Sequence, residues 1–190
     1  MSKEDVKSII KEHFDLKNSM DSIAIKIDEF ANKIITVLKK NGTIFWCGNG
    51  GSASDSQHLA AEFVGRFEKN RAPLKSISLN TDTSIMTALS NDYSYDIIFQ
   101  RQLEALGNSN DLLVVISTSG NSNNIINVLK EAKKRNIFSV ALLGKNGGKA
   151  KDLSNLSIIV PSNSTARIQE MHILIGHIAC SIAEKDIFKI

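Results

Sequence analysis

Cysteine, proline and tryptophan are scarce in this 190-residue chain: two, two and one respectively. Cys47 and Cys180 match neither a metal-ligand spacing nor a disulfide framework, so a stapled secreted scaffold is excluded. Two isolated cysteines suit a reducing compartment, with both thiols serving as small core residues. Charge of one sign is also lacking, because 23 Lys and Arg against 20 Asp and Glu leave a net charge of +3. No nucleic-acid partner is expected on that balance, although a few local cations could still serve a small anion. No long hydrophobic run exists either. The longest, "ILIGHIACSIA" at 173–183, is too short to span a bilayer and contains His177, so no membrane partner is expected. The opening "MSKEDVKSII" mixes charges with apolar residues and has no h-region, so it is not expected to be a signal peptide. A cytoplasmic protein is expected.

What is there is ordinary for a globular chain, with 42% hydrophobic and 23% charged residues. The length suits one domain with a sizeable core. It divides into an N-terminal helical segment, 1–41, and a core with a C-terminal helix, 42–190. The first forty residues read as helix, since Ile23, Ile27, Phe30, Ile34, Val37 and Leu38 recur at the helical period. Asn41-Gly42 stops it. From Thr43 short apolar runs alternate with helical segments. Strands are expected at 43–47, 74–79, 111–117, 138–144 and 156–160. Helices are expected at about 54–65, 83–90, 95–106, 123–136 and 165–185. This alternation predicts an α/β fold, a parallel sheet with helices on both faces. Ligands in such folds bind beyond the carboxyl ends of the strands.

Four segments fall at those ends: "GNGGS" (48–52), "NTDTS" with "SND" beyond it (80–84, 90–92), "STSGNS" (117–122) and "GKNGGK" (144–149). In the third, Ser117, Thr118, Ser119 and Ser122 offer hydroxyls just before a helix starting at Asn123. A helix N-terminus with hydroxyls suits a phosphate. The plainer alternative is an N-cap and turn made of ordinary turn residues. The segment lacks the Lys-Ser/Thr ending of a nucleotide P-loop. Gly48, Gly50 and Ala53 imitate the dinucleotide fingerprint, but the acidic partner is missing where strand two ends at Leu79-Asn80, so no nucleotide cofactor is expected.

His58 and Glu62 share one face of the helix that leaves "GNGGS". They could hold a metal or move protons, or Glu62 could simply pair with Arg66 beside a satisfied histidine. The last helix, "ARIQEMHILIGHIACSIAE", is apolar on much of its surface, and polar groups buried in it need partners. Gln169 and His177 are its candidates, His177 alternatively being a hydrogen-bonded core or subunit contact. His172 reads as a residue of the helix surface and is assigned nothing.

"CGNGGSASDSQHLAAEF", "ISTSGNS", "ARIQEMH" and the late "GH" occur in this order across nearly the whole chain. Together they resemble the sugar isomerase (SIS) domain family, and within it the phosphoheptose isomerases. The resemblance implies a flavodoxin-like, three-layer αβα sandwich around a five-stranded parallel sheet. It implies isomerisation of sedoheptulose 7-phosphate to D-glycero-D-manno-heptose 7-phosphate, a first step toward the heptose of surface glycans. Ser117, Thr118, Ser119 and Ser122 would hold the phosphate. Asn49, Gly50, Gly51 and Ser52 would line the substrate, with Asn91, Asp92 and Gln169 near it. Glu62 and His177 would be the acid/base pair, and His58, Glu62, Gln169 and His177 the ligands of one zinc per subunit. A homotetramer with composite active sites is also implied. One departure is Ala166, where some members carry an acidic residue, so no role for a carboxylate carries over there. The related initiator-associating SIS proteins, which bind the replication initiator DnaA, share much of the pattern but lack the Glu and the late His. Both are present here.

An aldose–ketose isomerase needs a base, an acid, stabilisation of an enediolate and a grip on the phosphate. Glu62 is the candidate base and His177 the acid. Zinc could polarise the substrate oxygens or serve a structural role at a shared interface. Gln169 and His177 lie eight residues apart, about 12 Å along a helix and about 80° around it. That separation favours a site shared between chains.

Overall fold

The computed structural model describes residues 3–189, apart from the side chains of residues 17 and 18. Met1, Ser2 and Ile190, which the opening segment and the expected domain take in, lie outside the described residues. The chain runs α1 (Lys3–Ser19), a one-turn 3-10 helix (Met20–Ile23), α2 (Ala24–Lys39), β1 (Ile44–Gly48), α3 (Gly51–Val64), β2 (Ser76–Ser78) and α4 (Thr83–Asp92). After a short 3-10 turn follow α5 (Ile98–Leu106), β3 (Leu112–Ser117), α6 (Asn123–Lys134), β4 (Phe138–Gly144), β5 (Leu156–Val160) and α7 (Thr165–Phe188).

The expected N-terminal helical segment consists of two helices, α1 and α2, joined by the 3-10 turn at Met20–Ile23. The Ser22 hydroxyl donates to the Ser19 carbonyl there at 2.7 Å, and such local bonds compete with the helix ladder. β2 is shorter than expected. The Leu74 N–H goes to the Phe63 carbonyl at the end of α3 instead of to the sheet.

All five strands are parallel, in the order β2-β1-β3-β4-β5. Alternation along each strand feeds two cores. Ile44, Trp46, Leu112, Val114, Ile116, Val140 and Leu142 point to one face, where residues of α2, α3 and α7 cover them. Phe45, Cys47, Leu113, Val115, Ala141 and Leu143 point to the other, under α4, α5 and α6. The expected three-layer αβα sandwich is therefore present, and both cysteines are buried free thiols. β1 and β3 are neighbours, with Gly48 beside Ile116. From β1 the chain turns to α3 on one face, and from β3 to α6 on the other. That divergence opens a crevice at the strand ends, the place where such sheets bind ligands.

Candidate active site

The crevice holds a cavity of about 230 Å³ lined by Asn49, Gly50, Gly51, Ser52, Ser117, Thr118, Ser119, Ser122, Thr165 and Gln169, with Ile116 at its floor. Three helices begin at its edge: α3 at Gly51, α6 at Asn123 and α7 at Thr165. Their N-termini each contribute partial positive charge and free N–H groups, and no charged side chain lines the cavity. An anion can therefore be gripped here without a cation.

Local chemistry shapes this lining. α3 begins at Gly51, earlier than the expected residue 54, because Gly50 adopts φ +59° and turns the chain sharply off the strand. A Cβ on Gly51 would lie 2.6 Å from Gln169 Nε2, so glycine lets α7 bring Gln169 to the cavity. In the phosphate-type loop, Ser117 Oγ accepts from Gly120 N–H at 3.1 Å and Ser119 Oγ from Asn121 N–H at 3.3 Å. Ser122 precedes α6 but makes no side-chain cap bond. It occupies the N-cap position and borders the cavity, while the Ser117 and Ser119 bonds are those of the plainer turn reading.

Below the cavity, α3 carries Gly51, Asp55, His58 and Glu62 on one stripe, at intervals of four, three and four residues. His58 Nε2 lies 3.2 Å from Glu62 Oε1 and 2.9 Å from His177 Nε2 on α7. One ligand atom from each of the three falls within 4.8 Å of the others. Burial, aided by the neighbouring His58, lowers the His177 imidazolium below the usual histidine range, with Glu62 opposing. The ring is thus favoured in its neutral, metal-ligating form. Two imidazole nitrogens and a carboxylate turned toward one point are a donor set that zinc accepts.

The SIS domain family matches residues 13–144. A phosphoheptose isomerase of Sulfurimonas denitrificans is 47% identical over 186 residues, covering 96% of this chain and 95% of its own. The chain belongs to the SIS family, among the phosphoheptose isomerases. The phosphoheptose isomerase structure from Neisseria gonorrhoeae superposes with a TM-score of 0.91 at 39% identity, covering 96% of this chain and 98% of its own. That from Francisella tularensis gives 0.93 at 34%, covering 97% and 100%.

Within this phosphoheptose isomerase fold, the expected site residues divide into three groups. The phosphate loop, residues 49–52 and Gln169 meet at the cavity. His58, Glu62 and His177 meet below it within one chain, so the helix-spacing argument for sharing does not apply to this trio. Asn91 and Asp92 end α4 as exposed residues bonded to each other at 2.8 Å, away from the cavity lining. The Glu62–Arg66 ion pair does not form among the described residues, because Glu62 faces His58. His172 is fully buried, not on the helix surface. It faces β4, where its Nε2 bonds the Leu143 carbonyl at 2.9 Å.

Thr165 on the cavity lining and three neighbours of the site were missed in the sequence. Asn124 exchanges two amide bonds with Asn49, at 2.8 and 2.9 Å, and the Tyr95 hydroxyl donates to Asn49 Oδ1 at 3.1 Å. Asp55 has a buried, unpartnered Oδ2. Desolvation raises its pKa, against the pull of His58. Its signal was available as the stripe Gly51-Asp55-His58-Glu62. The Asn49–Asn124–Tyr95 contact joins distant segments and leaves no periodicity.

Proposed function

We propose that this chain, a sugar-phosphate isomerase by family, converts sedoheptulose 7-phosphate to D-glycero-D-manno-heptose 7-phosphate. The observation that carries the reading is the convergence of Glu62, His58 and His177 at one point, on helices that leave a cavity whose hydroxyls and helix N-termini suit a phosphate. Gly51 and His58 are seven residues apart on α3, about 10 Å along its axis. A seven-carbon sugar held by its 7-phosphate at the helix N-termini spans that distance to its C1 and C2.

In this reading, Ser117, Thr118, Ser119 and Ser122 and the N–H groups of α6 hold the phosphate. Asn49, Gly50, Gly51 and Ser52 orient the chain of hydroxyls, with Asn91 and Asp92 assigned to the substrate by resemblance alone. Glu62 removes a proton from C1. His177 serves the oxygens, its neutral ring relaying a proton from O1 to O2 through the enediol. The C1 hydroxyl then loses its proton and C2 gains one, which leaves the aldose. His58, Glu62 and His177 would hold one zinc per subunit, with Gln169, which lines the cavity beside Gly51, a fourth ligand by resemblance alone. When bound, the ion supplies Lewis-acid stabilisation of charge on the substrate oxygens.

Purified protein should interconvert the two heptose phosphates. Glu62→Gln and His177→Gln should each lower kcat by about 10²-fold, the scale of a general acid or base. Ser119→Ala and Ser122→Ala should act mainly on KM, because a non-reacting phosphate is bound equally in ground and transition states. A folded wild type that is inert on phosphosugars but captures DnaA from solution would overturn the reading.

A further inference from the structure

Glu184 lies near the end of α7 with 4% of its side chain exposed. Its carboxylate accepts backbone N–H bonds from Phe67 at 3.3 Å, Glu68 at 3.0 Å and Lys69 at 3.1 Å. Arg71 Nε donates a fourth at 3.0 Å. Burial pushes this carboxyl up, but the three N–H groups and the guanidinium outweigh it and hold the pKa below the usual range. The group is a buried anion with its charge matched.

Arg71 is equally buried, with 3% of its side chain exposed. It donates to the Glu62 carbonyl at 2.6 Å, the Phe63 carbonyl at 2.7 Å and the Ala72 carbonyl at 3.0 Å. Two of these are among the last carbonyls of α3, which have no partner within the helix. A cation is also favoured at that end of the helix dipole. Burying an ion pair is costly in itself and is a weak source of stability. This pair sits where it touches the supports of the site. One carbonyl it holds belongs to Glu62. Phe67, whose N–H Glu184 holds, sets its ring 5.6 Å from the His177 ring. Glu184 follows His177 by seven residues, on the same face of α7 and about 10 Å further along.

We propose that Arg71 and Glu184 are positioning residues for the isomerase: they bolt the last turn of α3 and the Phe67 loop to α7, and so fix Glu62 and His58 against His177. Neither touches the substrate. The inference rests on the isomerase reading of Glu62 and His177. Arg71→Lys keeps the charge but loses the fork that reaches Glu184 and the carbonyls of Glu62, Phe63 and Ala72 together. Glu184→Gln keeps the shape but turns an amide N–H toward backbone donors.

Both variants and their combination are compared with wild type in steady-state kinetics and in zinc binding by equilibrium dialysis. Each single variant should lose about tenfold to hundredfold in kcat and in zinc affinity, the scale for outer partners of a metal site. KM should change by less than about threefold, because the phosphate loop belongs to β3 and α6. The double variant should be no worse than the poorer single one, since the pair acts as a unit. Variants that melt earlier but keep kcat and zinc affinity within about twofold of wild type would overturn the proposal and leave a structural staple. Should Glu184→Gln fail to fold, Arg71→Lys carries the same readouts. A wild type inert on heptose phosphates but binding zinc would defeat the isomerase reading, and the zinc measurement would still decide for or against the bolt.

Discussion

His172 is fully buried, and its one hydrogen bond among the described residues runs from Nε2 to the Leu143 carbonyl. A carbonyl can only accept, so Nε2 carries the proton and Nδ1 is left as a buried lone pair. Desolvation pushes the His172 pKa down to about 4, the carbonyl bond opposing it only in part. The unfolded chain titrates this histidine near 6.5. Between those values the unfolded state binds the extra proton, so stability rises with pH across the window and is lost as pH falls through it. The shift corresponds to roughly 3 kcal/mol, present in full above about pH 6.5. His172→Met should therefore unfold in urea with a shallower dependence on pH between about 4 and 6.5. Parallel losses in both proteins would show that His172 does not carry this sensitivity. At the same scale, Asn49 shows how the lining stays rigid: two amide bonds to Asn124 and one hydroxyl bond from Tyr95 fix a side chain that would otherwise swing over the cavity.

At the scale of elements, α3 and α7 make the site by approaching closely. Gly176 permits this: a Cβ there would lie 2.5 Å from Leu59 Cδ2. Leu59 is fully buried and adjoins His58, while Gly176 adjoins His177. Gly176→Ala gains helix propensity of about 1 kcal/mol, which offsets part of the roughly 1–3 kcal/mol cost of overpacking. Its main effect should be to separate the two histidines. A drop in kcat of about tenfold or more is expected with only a small change in Tm, since misplacement by ~1 Å can cost 10²-fold. Wild-type kcat in a folded Gly176→Ala protein would show that this close approach is not required. These elements were largely legible in the sequence, because buried parallel strands read as apolar runs and the stripe on α3 repeats at helical spacing. The start of α3 was not, since Gly50, Gly51 and Ser52 are poor helix formers and the turn depends on a positive φ. The Arg71–Glu184 pair was not legible either. Its partners are 113 residues apart, and no local pattern reports a contact made only by packing α7 against the end of α3. The trio's convergence in one chain was hidden for a related reason. Spacing along α7 gives separations on one helix, and says nothing of how α3 crosses it.

At the scale of the whole molecule, apolar surface remains uncovered. Val6, Ile9, Ile10 and Phe14 are 46–59% exposed, and they form one stripe of α1 at helical spacing. That stripe lies beside the site. His13 bonds Glu170 at 2.7 Å, and Arg167 bonds the Ile9 carbonyl at 3.0 Å, tying α1 to the part of α7 that carries Gln169. A second copy of the chain is the economical cover for such a stripe. The same arrangement accounts for Asn91 and Asp92. They are not among the residues that line the cavity of their own chain, and a composite site would let them reach a neighbour's substrate. The expected state is a homo-oligomer, a tetramer by family resemblance, with composite sites. Asp92→Asn and His177→Gln should each be nearly inactive alone. Mixed, dissociated and reassociated, they should recover part of the activity, because some sites then draw an intact Asp92 from one chain and an intact His177 from another. Light scattering at assay concentration supplies the second check. A stable monomer with full activity, or mixed oligomers with none, would place the complete site within one chain and leave the α1 stripe to some other role.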